Sequence, residues 1–318
     1  MYDVTATGEL LIDFTRNGLS EQNNRIYEAN PGGAPCNVLA MLGKLGYKTA
    51  FIGKVGDDEF GKLLNNTISE QKIDAAGLIL DPNAKTTLAF VDNDETGDRS
   101  FSFYRKPGAD MMLREDEVNY ELIDNCRIFH FGSLSMTDEP VRSATYAMID
   151  YAKKKNKIIS FDPNLRPPLW ESEDLAAKQI WYGIEQCDIL KIADNEIEWL
   201  TDTNDYDKGI EIIRERTHAK LINVTLGPNG SIAYYGNHKV FMKPYLNENT
   251  IETTGAGDTF GACALHAVLK HGLDNMTEED LKEMLQFANA AASLITTKKG
   301  ALRVMPEEKE IKELINKY

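Results

Sequence analysis

Apolar and polar positions along the chain follow two different periods. Short apolar runs at Val4 to Ile12, Thr49 to Val55, Arg127 to Phe131, Ile158 to Phe161, Ile189 to Ala193, Lys220 to Thr225 and Gly230 to Tyr235 read as strands. Amphipathic stretches at Pro35 to Leu45, Phe60 to Gln71, Val141 to Lys155, Ala176 to Glu185, Asn195 to Leu200, Thr259 to Lys270 and Leu281 to Thr296 read as helices. Strands separated by helical patterns imply βαβ units and an α/β fold with a mostly parallel sheet. Such sheets bind ligands beyond the carboxyl ends of their strands, so chemistry is expected just after the apolar runs.

Two segments break this rhythm. Asp13 to Asn30 is polar, and Thr86 to Tyr104 alternates as a strand does. Loops this long are uncommon in compact domains unless they serve a function. They are therefore expected to form a small accessory β lid, discontinuous in sequence, from about 13–30 and 84–107 of one 1–318 domain. The sequence shows no internal repeat, low-complexity tract or interdomain linker.

Composition narrows the function. Among 318 residues there are 50 Asp and Glu against 35 Lys and Arg, a formal charge of −15. Such a surface repels phosphate backbones and anionic membranes, so neither is an expected partner. No apolar run approaches the roughly 18 residues of a membrane span. The opening residues lack the basic region of a secretory signal, and the four cysteines form no CxxC pair. A cytoplasmic location with reduced thiols is expected.

Five segments carry candidate chemistry. Glu252-Thr253-Thr254-Gly255-Ala256-Gly257-Asp258 leads into an apolar helix. Its glycines allow close backbone approach, and the free N–H groups of a helix start make an anion site. Asp258 there is either a first-turn capping acid or a general base beside an anion hole, suited to phosphoryl transfer onto a hydroxyl. Asn30-Pro31-Gly32-Gly33-Ala34-Pro35-Cys36-Asn37 is a turn entering a helix. It is either structural or a sugar loop in which glycine backbone and the Asn37 amide meet hydroxyls. Asp162 to Trp170 follows a strand, and Arg166 in it can fork onto phosphate or carboxylate. Asn195-Glu196-Ile197-Glu198 follows another strand, either as a helix cap or as groups orienting hydrated Mg²⁺. Thr225-Leu226-Gly227-Pro228-Asn229-Gly230 is either a hairpin turn or the wall of a nucleotide groove. The Walker P-loop, the dinucleotide glycine fingerprint, His-Glu-x-x-His and Gly-x-Ser-x-Gly are absent from the sequence.

Taken together and in this order, these motifs resemble the ribokinase-like (PfkB) carbohydrate kinases over nearly the whole chain. Gly32 to Asn37, continuing at Gly53 to Gly61, is similar to the family's N-terminal signature, and Thr254 to Asp258 to its C-terminal one. Gly8 to Phe14, Phe103-Tyr104-Arg105, Asp162 to Trp170 and Phe287 to Ala291 are most similar to bacterial fructokinases. Kinases of 2-keto-3-deoxygluconate share much of the loop pattern.

The resemblance implies a three-layer α/β/α fold with a mostly parallel central sheet and a β lid that also forms a homodimer. It implies ATP- and Mg²⁺-dependent phosphorylation of a sugar hydroxyl, the 6-hydroxyl for fructose. Asp258 would be the base, with Gly255, Ala256 and Gly257 as the anion hole. Asp13, Gly32, Gly33, Asn37, Arg105 and Arg166 would hold the sugar. Thr225, Gly227, Gly230 and Asn289 would line the nucleotide groove. Asn195 and Glu198 would organise Mg²⁺ and phosphate, and K⁺ would sit near Thr253 and the Lys299-Gly300 turn. Competing readings are a kinase of 2-keto-3-deoxygluconate, ribose or a nucleoside, and a catalytically silent sugar sensor.

Overall fold

The computed structural model describes residues 1–93 and 99–317. The chain runs β1 (Val4–Thr7), β2 (Leu11–Leu19), β3 (Arg25–Gly32), α1 (Ala34–Lys44), β4 (Thr49–Gly56), α2 (Glu59–Glu70), β5 (Ile73–Asp81), β6 (Leu88–Asn93) and β7 (Arg99–Tyr104). It continues through α3 (Glu121–Asp124), β8 (Ile128–Gly132), α4 (Val141–Lys154), β9 (Ile158–Asp162), α5 (Glu173–Gln186), β10 (Ile189–Ala193), α6 (Asp194–Thr201) and α7 (Tyr206–Arg214). It closes with β11 (Leu221–Thr225), β12 (Ser231–Tyr235), β13 (His238–Met242), α8 (Ala256–His271), α9 (Glu278–Ile295) and α10 (Glu308–Ile315).

The large sheet has nine strands in the order β13-β12-β11-β10-β9-β8-β1-β4-β5. All neighbours from β11 to β5 are parallel, and β12 and β13 add antiparallel at one edge. Alternate strand positions feed two cores. Ile189, Leu221 and Ala233 join the core under α1, α8 and α9. Leu190, Ile192, Ile222 and Val224 join the opposite core under α4, α5 and α7. Helices thus cover both faces, as a parallel sheet requires.

Strand order reverses around β1, which pairs β4 on one side and β8 on the other. In parallel sheets this is where a crevice opens at the carboxyl ends. The single strand expected over Val4 to Ile12 is in fact two strands in different sheets. The break falls at Gly8, whose φ of 149° lies outside the range of ordinary residues and where a Cβ would meet Pro35 Cγ at 2.6 Å. The chain turns there because α1 packs too closely for a side chain.

The small sheet has the order β3-β2-β6-β7, with β2 and β6 parallel and two antiparallel hairpins outside them. It lies where the two irregular segments were expected to pair, and residues 94–98 of that expectation fall outside the described residues. One of its faces carries Leu11, Asp13, Thr15 and Val91 over the crevice. On the other, Phe14 stacks on Phe90 at 4.9 Å and meets Phe60 of α2 edge-on at 5.5 Å, which fixes the sheet to the body.

Candidate active site

The crevice is a cavity of about 450 Å³ between the two sheets. Its floor is the start of α8. Gly255 has φ 77°, and a Cβ there would lie 2.8 Å from Ala301 Cβ, so only glycine makes this turn beside the 300–301 loop. The first helical bond is Thr259 N–H to the Gly255 carbonyl at 2.8 Å, while Ala256 N–H turns back to Thr253. The N–H groups of Gly257 and Asp258 therefore precede the helical ladder and are free for an anion.

Asp258 is 9% exposed. Asn37 Nδ2 donates to its Oδ2 at 2.8 Å, although the two lie 221 residues apart. Burial pushes the Asp258 carboxyl above the usual range, while Asn37, Lys191 and Arg166 pull it back. That combination sets a buried carboxyl of raised basicity beside the free N–H groups of the helix start. The other amide atom, Asn37 Oδ1, is buried with no partner among the described residues. It offers a lone pair that a bound hydroxyl can satisfy.

The Gly32-Gly33 pair is explained by one carboxylate and one backbone carbonyl. A Cβ on Gly32 would fall 2.6 Å from Asp13 Oδ2, and one on Gly33 2.4 Å from the Glu9 carbonyl oxygen. The Glu9 side chain accepts from Ala34 N–H at 2.8 Å. Burial lifts both acids to about 7: Asp13 against the pull of Arg166, and Glu9 against backbone hydrogen bonds.

Arg166 lines the cavity, and its Nη1 donates to the Leu165 carbonyl at 3.0 Å. Lys191 also lines it, with Nζ 3.1 Å from Asp162 Oδ1. Thr253 faces the cavity, and Gly300 N–H donates to Glu252 Oε1 at 2.7 Å beside it. The sequence thus places Asp258, Gly255, Gly257, Asp13, Gly33, Asn37, Arg166 and Thr253 around one space.

Gly32 and Ala256 only adjoin lining residues in the chain, and seven further expected residues lie elsewhere or point away. Arg105 is 3% exposed and does not line the cavity. Its guanidinium is taken up by Asp110 at 2.7 Å, Thr137 at 3.0 Å and the Leu134 carbonyl at 2.8 Å, so it braces the wall behind Leu134. Asn195 and Glu198 are both exposed on α6. The inward carboxylate of that helix is Glu196, which accepts from Leu165 N–H at 2.7 Å and Ala193 N–H at 2.8 Å. A one-turn spacing suits Asn195 and Glu198 to each other, but the helix phase turns both outward. The Asn289 side chain accepts from Ser231 Oγ at 2.8 Å and donates to the Met242 and Lys243 carbonyls. It ties α9 to the β12–β13 edge. Thr225, Gly227 and Gly230 sit at the carboxyl end of β11, beside β10, with open space around Gly227.

Glu9, Glu196 and Lys191 were not singled out from sequence. Lys191 had a visible signal, a cation inside the apolar run Ile189 to Ala193. The signal is not specific. Lys54 has the same setting in β4, yet it pairs with Glu117 at 2.7 Å and Asp81 at 3.3 Å away from the cavity.

The sequence pattern described as pfkB family carbohydrate kinase matches residues 1–308. Fructokinase-1 of Zea mays is 40% identical over 316 residues, covering 99% of this chain and 98% of that protein. The crystal structure of a fructokinase from Xylella fastidiosa with bound ATP superposes with a TM-score of 0.89 at 29% identity, covering 100% of this chain and 99% of that one. A double mutant of the fructokinase from Vibrio cholerae O395, solved with fructose, ADP and potassium ion, gives a TM-score of 0.89 at 29% identity, with 99% and 98% covered.

Proposed function

The chain belongs to the pfkB family of carbohydrate kinases, and from that premise we propose that it is an ATP-dependent fructokinase that phosphorylates the 6-hydroxyl. The observation that carries the reading is Asp258, held by Asn37 at the start of α8 and facing the Asp13 side of the same cavity. Asp258 takes the hydroxyl proton as the sugar oxygen bonds to phosphorus and the bond to ADP breaks. The N–H groups at the start of α8 bind the charge on the transferring phosphoryl, the kind of positioned electrostatics this reaction needs most. Asp13, the Gly32-Gly33 turn and Asn37 hold the sugar, and the small sheet acts as the lid that keeps water from competing.

The charge around the cavity favours a neutral sugar. Glu9, Asp13, Glu252 and Asp258 face it against Arg166 and Lys191. A sugar acid such as 2-keto-3-deoxygluconate would add a further carboxylate to that group. The described residues hold no cluster of three or more His, Cys, Asp and Glu side chains placed for a metal. Mg²⁺ is read as arriving hydrated on the nucleotide. When bound it neutralises phosphate charge, and Glu196, the inward carboxylate of α6, holds the Leu165 and Ala193 backbone through its two oxygens. The nucleotide lies along Thr225, Gly227 and Gly230. K⁺ is read beside Thr253 and the Gly300 turn; a fructokinase of the same fold was solved with potassium ion bound.

The chain is read as a homodimer through the small sheet, at whose edge strand β7 Tyr104 is 67% exposed. The described residues contain no helix long and apolar enough to cross a membrane. We assign the reaction to the cytoplasm, where ATP and free sugar meet.

The test is ADP release from Mg·ATP with fructose, 2-keto-3-deoxygluconate, ribose, glucose, mannose and adenosine, with and without K⁺. Fructose is expected to give the highest kcat/KM. Another acceptor in first place would overturn the sugar assignment and leave Asp258 in its role. Fructose binding without turnover of any acceptor would make the protein a sugar sensor.

A further inference from the structure

We propose that Lys191 is a second catalytic group of this kinase: its ammonium binds the transferring phosphoryl from the side of Gly257, held in place by Asp162. The proposal rests on the kinase reading above and assigns a charge that the general base and the helix start do not supply.

The placement follows from strand parity. Ile189, Leu221 and Ala233 face α8, and Lys191 and Asn223 share that phase as register partners in β10 and β11. The Lys191 stem therefore runs under the first turn of α8 and emerges in the cavity near the carboxyl end of its strand. Its Nζ lies 3.1 Å from each Asp162 oxygen. A Cβ on Gly257 would be 3.1 Å from the same Nζ. Glycine at 257 thus lets an ammonium reach the turn whose N–H groups form the anion site.

Both cations of the cavity act on Asp258, and they differ in their second partner. Arg166 acts electrostatically on Asp13, the sugar side. Lys191 acts on Asp162, and Asp162 also feels Glu196 and Asp258, which places this group on the phosphoryl side. Burial alone would favour a neutral amine, but Asp162, Glu196 and Asp258 more than offset it, so Lys191 stays protonated. In the reaction the hydroxyl proton passes to Asp258, the new O–P bond forms as the bond to ADP breaks, and Lys191 keeps its proton throughout. A compact ammonium on a flexible stem can follow the phosphoryl group as it moves. Asp162 is a positioning residue, because it acts through Lys191.

The competing role is structural: Lys191 could serve only as the counterion of Asp162. The double variant D162N/K191M separates the two, since it removes both charges with little change of shape. We expect it to fold, to keep its KM for fructose within about threefold, and to lose kcat on the order of 10²–10³-fold, the usual effect of deleting one electrostatic donor. A folded double variant with kcat within about fivefold of wild type would overturn the proposal by that same measure. If the double variant does not fold, K191Q and K191R decide. Glutamine keeps a donor to Asp162 without the charge, and arginine keeps the charge. Arginine faster than glutamine by about tenfold or more, one decade being the smallest electrostatic effect worth assigning, supports the proposal. Equal rates, or glutamine faster, refute it. Wild-type protein inactive on every acceptor would overturn the kinase reading itself; normal Lys191 variants of an active wild type would overturn this inference alone.

Discussion

Asp258→Asn separates catalytic from structural roles because the structure predicts opposite effects on rate and stability. The substitution is nearly isosteric, and the new amide oxygen can still accept from Asn37 Nδ2, now 2.8 Å from Asp258 Oδ2. The amide cannot take a proton, so the general-base contribution is lost. That contribution is typically 10²–10⁴-fold, or about 2.7–5.5 kcal/mol in the barrier. Stability should move the other way. Burial raises the Asp258 carboxyl above its ordinary range, so holding it ionised near neutral pH costs folding free energy. The amide removes that cost and relieves repulsion with Asp13. Each ~1 kcal/mol recovered should lift the melting midpoint by about 2 °C in a chain of this size. The assay is coupled ADP release at saturating Mg·ATP and fructose, paired with thermal melting and a calorimetric fructose titration. The expected variant is slow, still binds fructose, and melts at or above the wild-type midpoint. A kcat within about tenfold of wild type refutes the base assignment. A midpoint several degrees lower would show that Asp258 supports the fold and that its loss of activity is indirect.

Three other outcomes follow from the same geometry. Gly33→Ala forces a side chain into φ 128° with its Cβ 2.4 Å from the Glu9 carbonyl, and should lose about 1–3 kcal/mol in urea unfolding; an unchanged transition would refute the strain argument. Burial raises Asp13 from 3.8 and Glu9 from 4.5 to about 7, so between those values the folded state binds more protons than the unfolded one. Stability of the ligand-free protein should therefore be fully present at low pH within that window and fall as pH rises toward 7 and above; melting from about pH 5.5 to 8 checks the sign, and E9Q should flatten the slope. Asn289→Ala breaks the tie from α9 to Ser231, Met242 and Lys243 and should cost about 1–3 kcal/mol of stability; weaker ATP binding with an unchanged melting point would show that Asn289 contacts the nucleotide directly.

Most of the fold was legible because periodicity reports which side of an element is buried. The apolar runs from Arg127 to Tyr235 are strands of the large sheet as read, with helices between them. The misreadings are local. β5 and β13 were missed because their burial is partial and mixed rather than continuous or cleanly alternating. The Val4 to Ile12 run is buried throughout although it carries Thr5, Thr7 and Glu9, and the break falls where Pro35 approaches Gly8.

The sequence by itself determined the residue types the chemistry needs and their local settings. Gly255 and Gly257 before Asp258 mark a helix start with free N–H groups, and Gly32-Gly33 marks a backbone turn that tolerates no side chain. These features act over a few residues, so spacing alone exposes them. Which side chains meet was decided only by the tertiary structure. Asn37 reaches Asp258 because α1 packs on α8, an event between elements with no trace in the spacing of either. Glu196 rather than Glu198 turns inward because the phase of α6 is set by the core under Ile197. Arg105 goes to Asp110 because burying a guanidinium demands the nearest carboxylate. Lys54 and Lys191 read alike along the chain, and only the strand order puts one beside Glu117 and the other beneath the start of α8. Ion pairing and burial depend on three-dimensional distance, which the order of residues constrains only through the packed sheet.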